Sequence, residues 1–455
     1  MKKGKIISSI VFILGCYITS HAQTYEHFDL SSFITPDIVR NELDFSLNSS
    51  GRIQDEKGSS RDHSSLGGDF GTAFNRIKNT RPYWGKQEGR ILLNGKYARD
   101  KSNDYKANEY QTSFSYYSDN RFYKTNKRFW SLSGNLSGYA NGNKQDQASY
   151  HKYKSKYFSG YVSLGIGKGR IESVTDARQA IYILDNLSKK GVLKRQLTND
   201  EILELSKLIA IVKNKRFFDS RLRMIDEVSA VDSFFVTNRL LESSGASYFT
   251  TLYDYWMYGD RFERGAGLVF SSSLLGGYGY SRSDFIREND NDNSGTKSST
   301  PFAGVLFTMG YEKPVNLYWQ QSASLSLRGQ YDRSSSNNPY IKNDPHLKKN
   351  QYSTLFSGSY NWGYYPNSRT NLNWGIIESL HWTEFDYTDA KRTSNNDYWN
   401  TVTELYFQTY YYFSPQVRLS ADVRGGLEYI KYKHWDTGQL GWNGSFQLTF
   451  TYSLF

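Results

Sequence analysis

Long stretches of this chain carry an apolar side chain at every second residue, and that period admits one kind of element. Successive side chains on a strand point to opposite faces, whereas a helix repeats every 3.6 residues. Near the C-terminus Trp442, Phe446, Leu448, Phe450, Tyr452 and Leu454 alternate with Asn443, Ser445, Gln447, Thr449, Thr451 and Ser453. Val417, Leu419, Ala421, Val423, Leu427 and Tyr429 alternate with Arg418, Ser420, Asp422, Arg424 and Glu428. Leu317, Trp319, Ala323, Leu325, Leu327 and Tyr331 do the same, opposite Gln320, Ser322, Ser324, Ser326 and Arg328. Each strand therefore has one apolar face and one wet, often charged, face.

Two architectures use such strands, a soluble sandwich and a membrane barrel. Three features favour the barrel. The alternating stretches are near the 9–11 residues that a tilted strand needs to cross a bilayer. Aromatic pairs stand at strand ends, as in Tyr83-Trp84, Tyr364-Tyr365 and Tyr398-Trp399, where rings suit the membrane–water interface. The chain ends on an aromatic residue, Phe455. Composition agrees. Residues are 38% hydrophobic yet 16% aromatic, with 38 tyrosines, a bias that suits half-exposed pleated surfaces and not disorder. A mean hydropathy of −0.67 excludes a helical membrane protein.

The one long apolar run, Ile6–Ile18, follows Lys2, Lys3 and Lys5 and precedes Ser20-His21-Ala22. It reads as a secretory signal peptide cut after Ala22, so that residues 1–22 are removed. Ile13-Leu14-Gly15-Cys16 offers a competing lipoprotein reading with Cys16 as the modified residue. If Ala22 is the cut, the mature chain has no cysteine and no disulfide. The leader, the alternating strands and Phe455 together resemble Gram-negative outer-membrane β-barrel proteins. That resemblance implies a transmembrane barrel in the bacterial outer membrane, in contact with its lipid, and names no solute. Phe455 is out of phase with the apolar set that ends at Leu454, a departure from many such barrels.

The expected fold is an all-β barrel of about 14 antiparallel strands with an α-helical insert. Strand centres fall near Phe45, Thr72, Leu93, Phe114, Leu132, Val162, Leu268, Phe307, Leu325, Gly358, Ile376, Phe407, Val423 and Leu448. Six strands occupy 23–170 and eight occupy 259–455. Short turns at Lys313–Asn316 and Ser414–Gln416 are expected in the periplasm. Ser50–Ser65, Ser283–Thr300 and Ser334–Asn350 are expected outside. Adjacent Ile376 and Ile377 suggest a bulge beside Glu378.

Residues 171–258 break the alternation. Thr198-Asn199-Asp200-Glu201 is a capping box, and Ile202, Leu205, Leu208, Ile209 and Val212 follow at helical spacing. Asp176–Leu187, Phe218–Leu241 and Tyr248–Tyr258 supply further helices. Following a sixth, downward strand, this insert belongs to the periplasm. No segment resembles a large N-terminal plug.

The lumen-facing set comprises Asp44, Lys96, Arg328, Glu404, Arg418, Asp422, Arg424 and Glu428. It either lines a selective pore or fills the lumen as a paired network; Tyr406, Tyr410 and Tyr412 could line a narrow path or close it. Lys213, Lys215, Arg216, Arg221 and Arg223 concentrate charge on the insert, suiting an acidic periplasmic protein or envelope polymer, or simply a solvated helix face. Asp290–Gly295 resembles half a calcium loop, but its twelfth position is Pro301, so no metal or other cofactor is expected. Scattered histidines and the lack of G-x-S-x-G or P-loop patterns point away from an enzyme. A net charge of +11 on an exported chain of 455 residues is not a nucleic-acid footprint. The leading expectation is a porin-like channel or transporter for small solutes. The alternative is a structural barrel that anchors a partner-docking helical domain.

Overall fold

The computed structural model describes residues 25, 27–55, 62–100, 105–124, 127–146, 151–214, 220–259, 262–287, 293–339, 347–387, 397–414, 417–433 and 437–452. The leader with Cys16, Asp290 to Asp292, Lys215, Arg216 and Phe455 lie outside them, as do the side chains of Arg221 and Arg223.

Strands β1 to β6 run Ile38–Asp55, Asp62–Asn79, Tyr83–Asp100, Tyr105–Tyr123, Arg128–Asp146 and His151–Ser173. Helices follow: α1 Thr175–Lys189, α2 Asn199–Lys213, α3 Ser220–Thr237 and α4 Ala246–Tyr258. Strands β7 to β14 run Gly265–Arg287, Ser294–Pro314, Trp319–Asn337, Leu347–Asn367, Thr370–Tyr387, Tyr398–Tyr412, Val417–Tyr432 and Gln439–Tyr452. The sheet has 14 strands in sequence order, each antiparallel to its neighbours, the up-and-down architecture of a membrane barrel. β1 pairs with β2 and β14 with β13; no β1–β14 ladder is present among the described residues. All fourteen expected strand centres fall inside observed strands.

The strands span 14 to 23 residues, well beyond the apolar crossing length anticipated from the alternation. Outside the bilayer the hydrogen-bonded ladder needs no apolar face, so polar residues simply extend it. Stretches expected as long loops are therefore partly strand: β1 reaches Asp55, β7 reaches Arg287 and β9 reaches Asn337. At about 3.3 Å per residue and a tilt near 45°, a 23-residue strand rises roughly 50 Å, against a hydrocarbon core of about 30 Å.

The two faces of the sheet segregate as their period dictates. Outward residues are apolar and uncovered: Leu164 is 63% exposed and Leu274 69%. In water such a continuous apolar exterior would be unstable; in hydrocarbon it is the ordinary surface of a barrel. No bulge exists at Ile376 and Ile377, because the β10–β11 register runs unbroken from Tyr360↔Ile376 to Ser359↔Ile377 and shifts instead between Tyr364 and Asn367. Ile377 accordingly faces the lumen, and Glu378 stands on the outer face. There it accepts a 2.6 Å hydrogen bond from Thr403 Oγ1, a neighbour in register on β12.

The densest core lies in the helical insert. Ile181, Ile183, Leu184 and Leu187 of α1 meet Leu205 and Ile209 of α2, Val231 and Phe235 of α3, and Tyr248 and Leu252 of α4. The N-terminal segment adds Tyr25, Phe28, Leu30 and Phe33 to the same core. Tyr25 accepts the backbone N–H of Leu197 at its hydroxyl, 3.2 Å away. Leu317, expected on the outer face, is instead 1% exposed in this core. It precedes β9 and sits in the β8–β9 turn, where the insert covers it.

Candidate functional site: a capped lumen

The wall of the lumen is a polar network built from alternate residues of neighbouring strands. Arg424 of β13 contacts Asp422 at 2.9 Å and Glu404 of β12 at 3.0 Å. Asp422 also accepts from Gln408 Nε2 at 2.5 Å. Arg418 lies beside this group and lines a cavity of about 280 Å³ with Gln408, Asp422 and Gln447. One step along the strands, Asn400 donates to Glu428 at 2.9 Å. Five of the anticipated lumen residues thus share one side of the wall. Arg328 stands apart on β9, donating to Gln330, which donates to Asp332 at 2.6 Å. Lys96 on β3 is in register with Glu109 on β4, and Asp44 lies on β1 opposite Ala73. The network pairs much of its charge internally, while Asp44 and Lys96 remain exposed.

At the turn end the insert crosses the mouth. It leaves from β6 and returns to β7, where the two strand ends meet as Ser173↔Gly265. It then contacts the far wall at β10, the β10–β11 turn and β12. The Tyr182 hydroxyl of α1 donates to the Tyr365 carbonyl at 3.0 Å. Asp254 of α4 forms an ion pair with Arg369 in the β10–β11 turn. Phe262 packs against Tyr365, Tyr410 and Tyr412 at centroid distances of 6.1 to 6.5 Å, and Tyr258 lies 5.7 Å from Tyr412. Tyr410 and Tyr412 thus stand where the end of the insert meets β12. The sequence showed no large N-terminal plug; the element that reaches across to the far strands comes from the middle of the chain.

Two buried arginines fix this cap. Arg178, 1% exposed, donates to the carbonyls of Gly259 at 3.0 Å and Phe262 at 2.6 Å. Arg264, 2% exposed, donates to Gln320 Oε1 at 3.0 Å and to the carbonyls of Asn316 and Trp319 at 2.8 Å each. Its guanidinium also reaches the Leu317 carbonyl. Burial is the main cause pulling Arg264 down to about 10, still charged near neutrality. Gly169 and Gly267, at φ +102° and +136°, lie on β6 and β7 close to where the helices leave and re-enter. A Cβ on Gly267 would stand 2.2 Å from the Arg170 carbonyl, so both position and conformation demand glycine.

Between cap and wall lies a cavity of about 800 Å³. Its lining mixes both signs of charge, with Arg40, Lys86, Glu172, Asp176, Glu312 and Arg264 around it. Glu312 accepts 2.7 Å hydrogen bonds from Gln320 and Ser322. The side-chain oxygen of Asn361, on the same lining, is buried without a hydrogen-bond partner. Lys213 also lines this cavity. It was expected on a solvent-facing docking patch, but its ammonium lies 3.5 Å from Asp176 Oδ1 and 5.5 Å from the Trp256 ring. As the last residue of α2 it falls on the side turned to α1 and α4. Of the remaining members of that patch, Lys215 and Arg216 lie outside the described residues, and Arg221 and Arg223 fall on α3 with their side chains outside them.

Alternation alone supplied the expected lumen-facing set. It missed Arg178, Arg264, Asp254, Arg369 and Tyr365, whose partners lie far along the chain. The one local signal was an arginine amid the buried face of α1. Among the described residues no group of three or more His, Cys, Asp or Glu side chains could hold a metal ion.

No protein-family model and no curated protein sequence matches the chain. Among solved structures it is similar to the TodX monoaromatic hydrocarbon channel deltaS2 mutant, at 8% identity and a TM-score of 0.32, over 92% of this chain and 90% of that one. It is also similar to the P. putida toluene transporter TodX, at 8% identity and a TM-score of 0.28, over 93% of each chain. The translocator domain of autotransporter NalP from Neisseria meningitidis follows at 6% identity and a TM-score of 0.27, over 87% of this chain and 88% of that one. The chemistry of the capped lumen rests on this chain's own residues.

Proposed function

We propose that the protein is a bacterial outer-membrane β-barrel whose lumen passes small polar or charged solutes, with the helical insert as a periplasmic cap on the pathway. The observation that carries this reading is the cavity of about 800 Å³ between cap and wall, lined by side chains of both charges. Such a lining selects against apolar molecules and favours hydrated or zwitterionic ones. The test is single-channel recording in planar bilayers. Stable steps whose ion selectivity shifts on Arg418→Glu support a conducting lumen. A folded barrel that stays silent, with or without the cap contacts, sinks it.

A second reading has its own support. Ile225 and Val236 on α3 and Phe249 and Tyr253 on α4 are 47–61% exposed, more apolar surface than a cap alone requires. On this reading the barrel anchors a helical domain that docks a periplasmic protein. Replacing Phe249 and Tyr253 by serine should then abolish capture of that partner and leave conductance untouched. Neither reading calls for catalysis.

A further inference from the structure

The outer face is not evenly filled. On strands β4 to β8 one row of outward residues runs Phe122, Trp130, Ile166, Ser272 and Phe307, each in register with the next. Ser272 is the small member and leaves a gap. The gap opens a groove of about 650 Å³, bounded toward the loop side by Leu132, Leu164, Leu274 and Val305. Toward the turn side it continues into a hollow of about 580 Å³ between Trp130, Phe270 and Phe307.

That hollow ends on cations. Lys124, Arg128 and Lys168 line it, and all three are exposed. Arg128 and Lys168 are direct cross-strand partners, and the Lys124 N–H donates to the Arg128 carbonyl at 2.7 Å. None of the three has an ion-pair partner among the described residues; the nearby carboxylates Asp119 and Glu172 are taken by Arg121, Arg81 and Arg170. Like charges directly opposed on a ladder destabilise it, unless an anion lies between them. Here the anion must also carry an apolar body, because the groove that leads away from the cations is walled by rings and branched aliphatics. Their position at the turn end of the apolar belt is the depth of a lipid phosphate.

We propose that this groove binds one anionic glycerophospholipid of the turn-side leaflet, its phosphate held by Lys124, Arg128 and Lys168. An acyl chain then lies over Ser272, between Trp130 on one side and Phe307 and Leu274 on the other. The inference rests on the outer face lying in lipid and is independent of whether the lumen conducts.

The full-length protein, reconstituted in nanodiscs of equal phosphatidylglycerol and phosphatidylcholine, is released and its retained lipid counted by native mass spectrometry. Wild type should retain phosphatidylglycerol over phosphatidylcholine by roughly 30- to 150-fold, the order expected for two to three interfacial cations. R128Q/K168Q should bring that ratio near one. Ser272→Phe, which fills the groove and leaves the cations in place, should lower retention of phosphatidylglycerol itself. Heat-shifted gel mobility confirms that each variant is folded. Equal retention of both lipids by wild type, or a preference unchanged in R128Q/K168Q, overturns the proposal. So does displacement of the lipid by inorganic phosphate alone, or a protein dimer in which the groove holds no lipid. A silent channel with the lipid preference intact would refute conduction and leave the groove standing.

Discussion

Arg264 directs its guanidinium at backbone. Its donors reach three consecutive regions of the β8–β9 turn, at Asn316, Leu317 and Trp319, and the side chain of Gln320. Truncation leaves those buried carbonyls without donors, at about 1–3 kcal/mol for each group that water cannot reach. Arg264→Ala should therefore destabilise the helical insert by at least about 3 kcal/mol, read as a lower melting temperature in far-ultraviolet circular dichroism. Arg264→Lys should not rescue it, since an ammonium cannot span a planar fork. A different dependence belongs to Glu201. Hydrogen bonding from Arg195, then from the Thr198 backbone, lowers its carboxyl from 4.5 to about 2. A depressed pKa stabilises the fold above the unfolded value and is lost as pH falls through the folded one. The start of α2 should thus weaken between about pH 4.5 and 2, and Glu201→Gln should flatten that part of the pH–melting profile. The two residues also mark what a sequence can reveal. The Thr198–Glu201 box is legible because its partners are three residues apart. Arg264 looks like any charged residue before a strand, because its partners lie more than fifty residues away.

The same division holds for elements. Strand existence was fully legible, since each strand imposes its own period of two on side chains that face lipid and lumen. Strand length was not, because a polar outer face above the bilayer leaves no periodic trace. The pair Ile376-Ile377 misled for a related reason: one of them faces the lumen, where an apolar side chain is tolerated without any bulge. In the insert, helix α3 packs Phe235 with no exposed surface against Tyr248, 6.1 Å away. Phe235→Ala should cost about 3–5 kcal/mol in the insert's own transition. The barrel's heat-shifted gel mobility should stay unchanged, because the two parts draw on separate stabilising contacts, core packing in one and a hydrogen-bonded ladder in the other.

For the whole molecule the decisive contacts are those between cap and far wall. The Arg369–Asp254 pair is about one-third exposed on each side, so it contributes little stability and more to position. Arg369→Ala should leave melting within about 0.5 kcal/mol yet raise open probability in planar bilayers, if the cap obstructs the mouth. Unchanged openings would mean that the Tyr182, Tyr258 and Phe262 contacts hold the cap alone. The two end strands make a second test. A bilayer offers no water to unpaired backbone groups, so in lipid β1 and β14 must satisfy each other. Backbone amides of Leu47 and Phe446 should then exchange with deuterium as slowly in vesicles as those of Leu325, and faster in detergent.

The placement of the insert also bears on the order in which this chain can assemble. Neighbouring strands elsewhere in the sheet are hairpins, but β6 and β7 are separated by roughly ninety residues. Closing so long a loop costs about 3 kcal/mol more than closing a four-residue turn. The folded insert removes that handicap, for its two ends are already tied: the Val174 N–H donates to the Arg264 carbonyl at 2.9 Å, and Arg178 binds the carbonyls of Gly259 and Phe262. A helical domain that matures first, in water, delivers both strands to one another in register. A slow insert would leave two half-sheets of six and eight strands with raw edges in the periplasm, where they would be substrates for chaperones and proteases before they ever met a membrane.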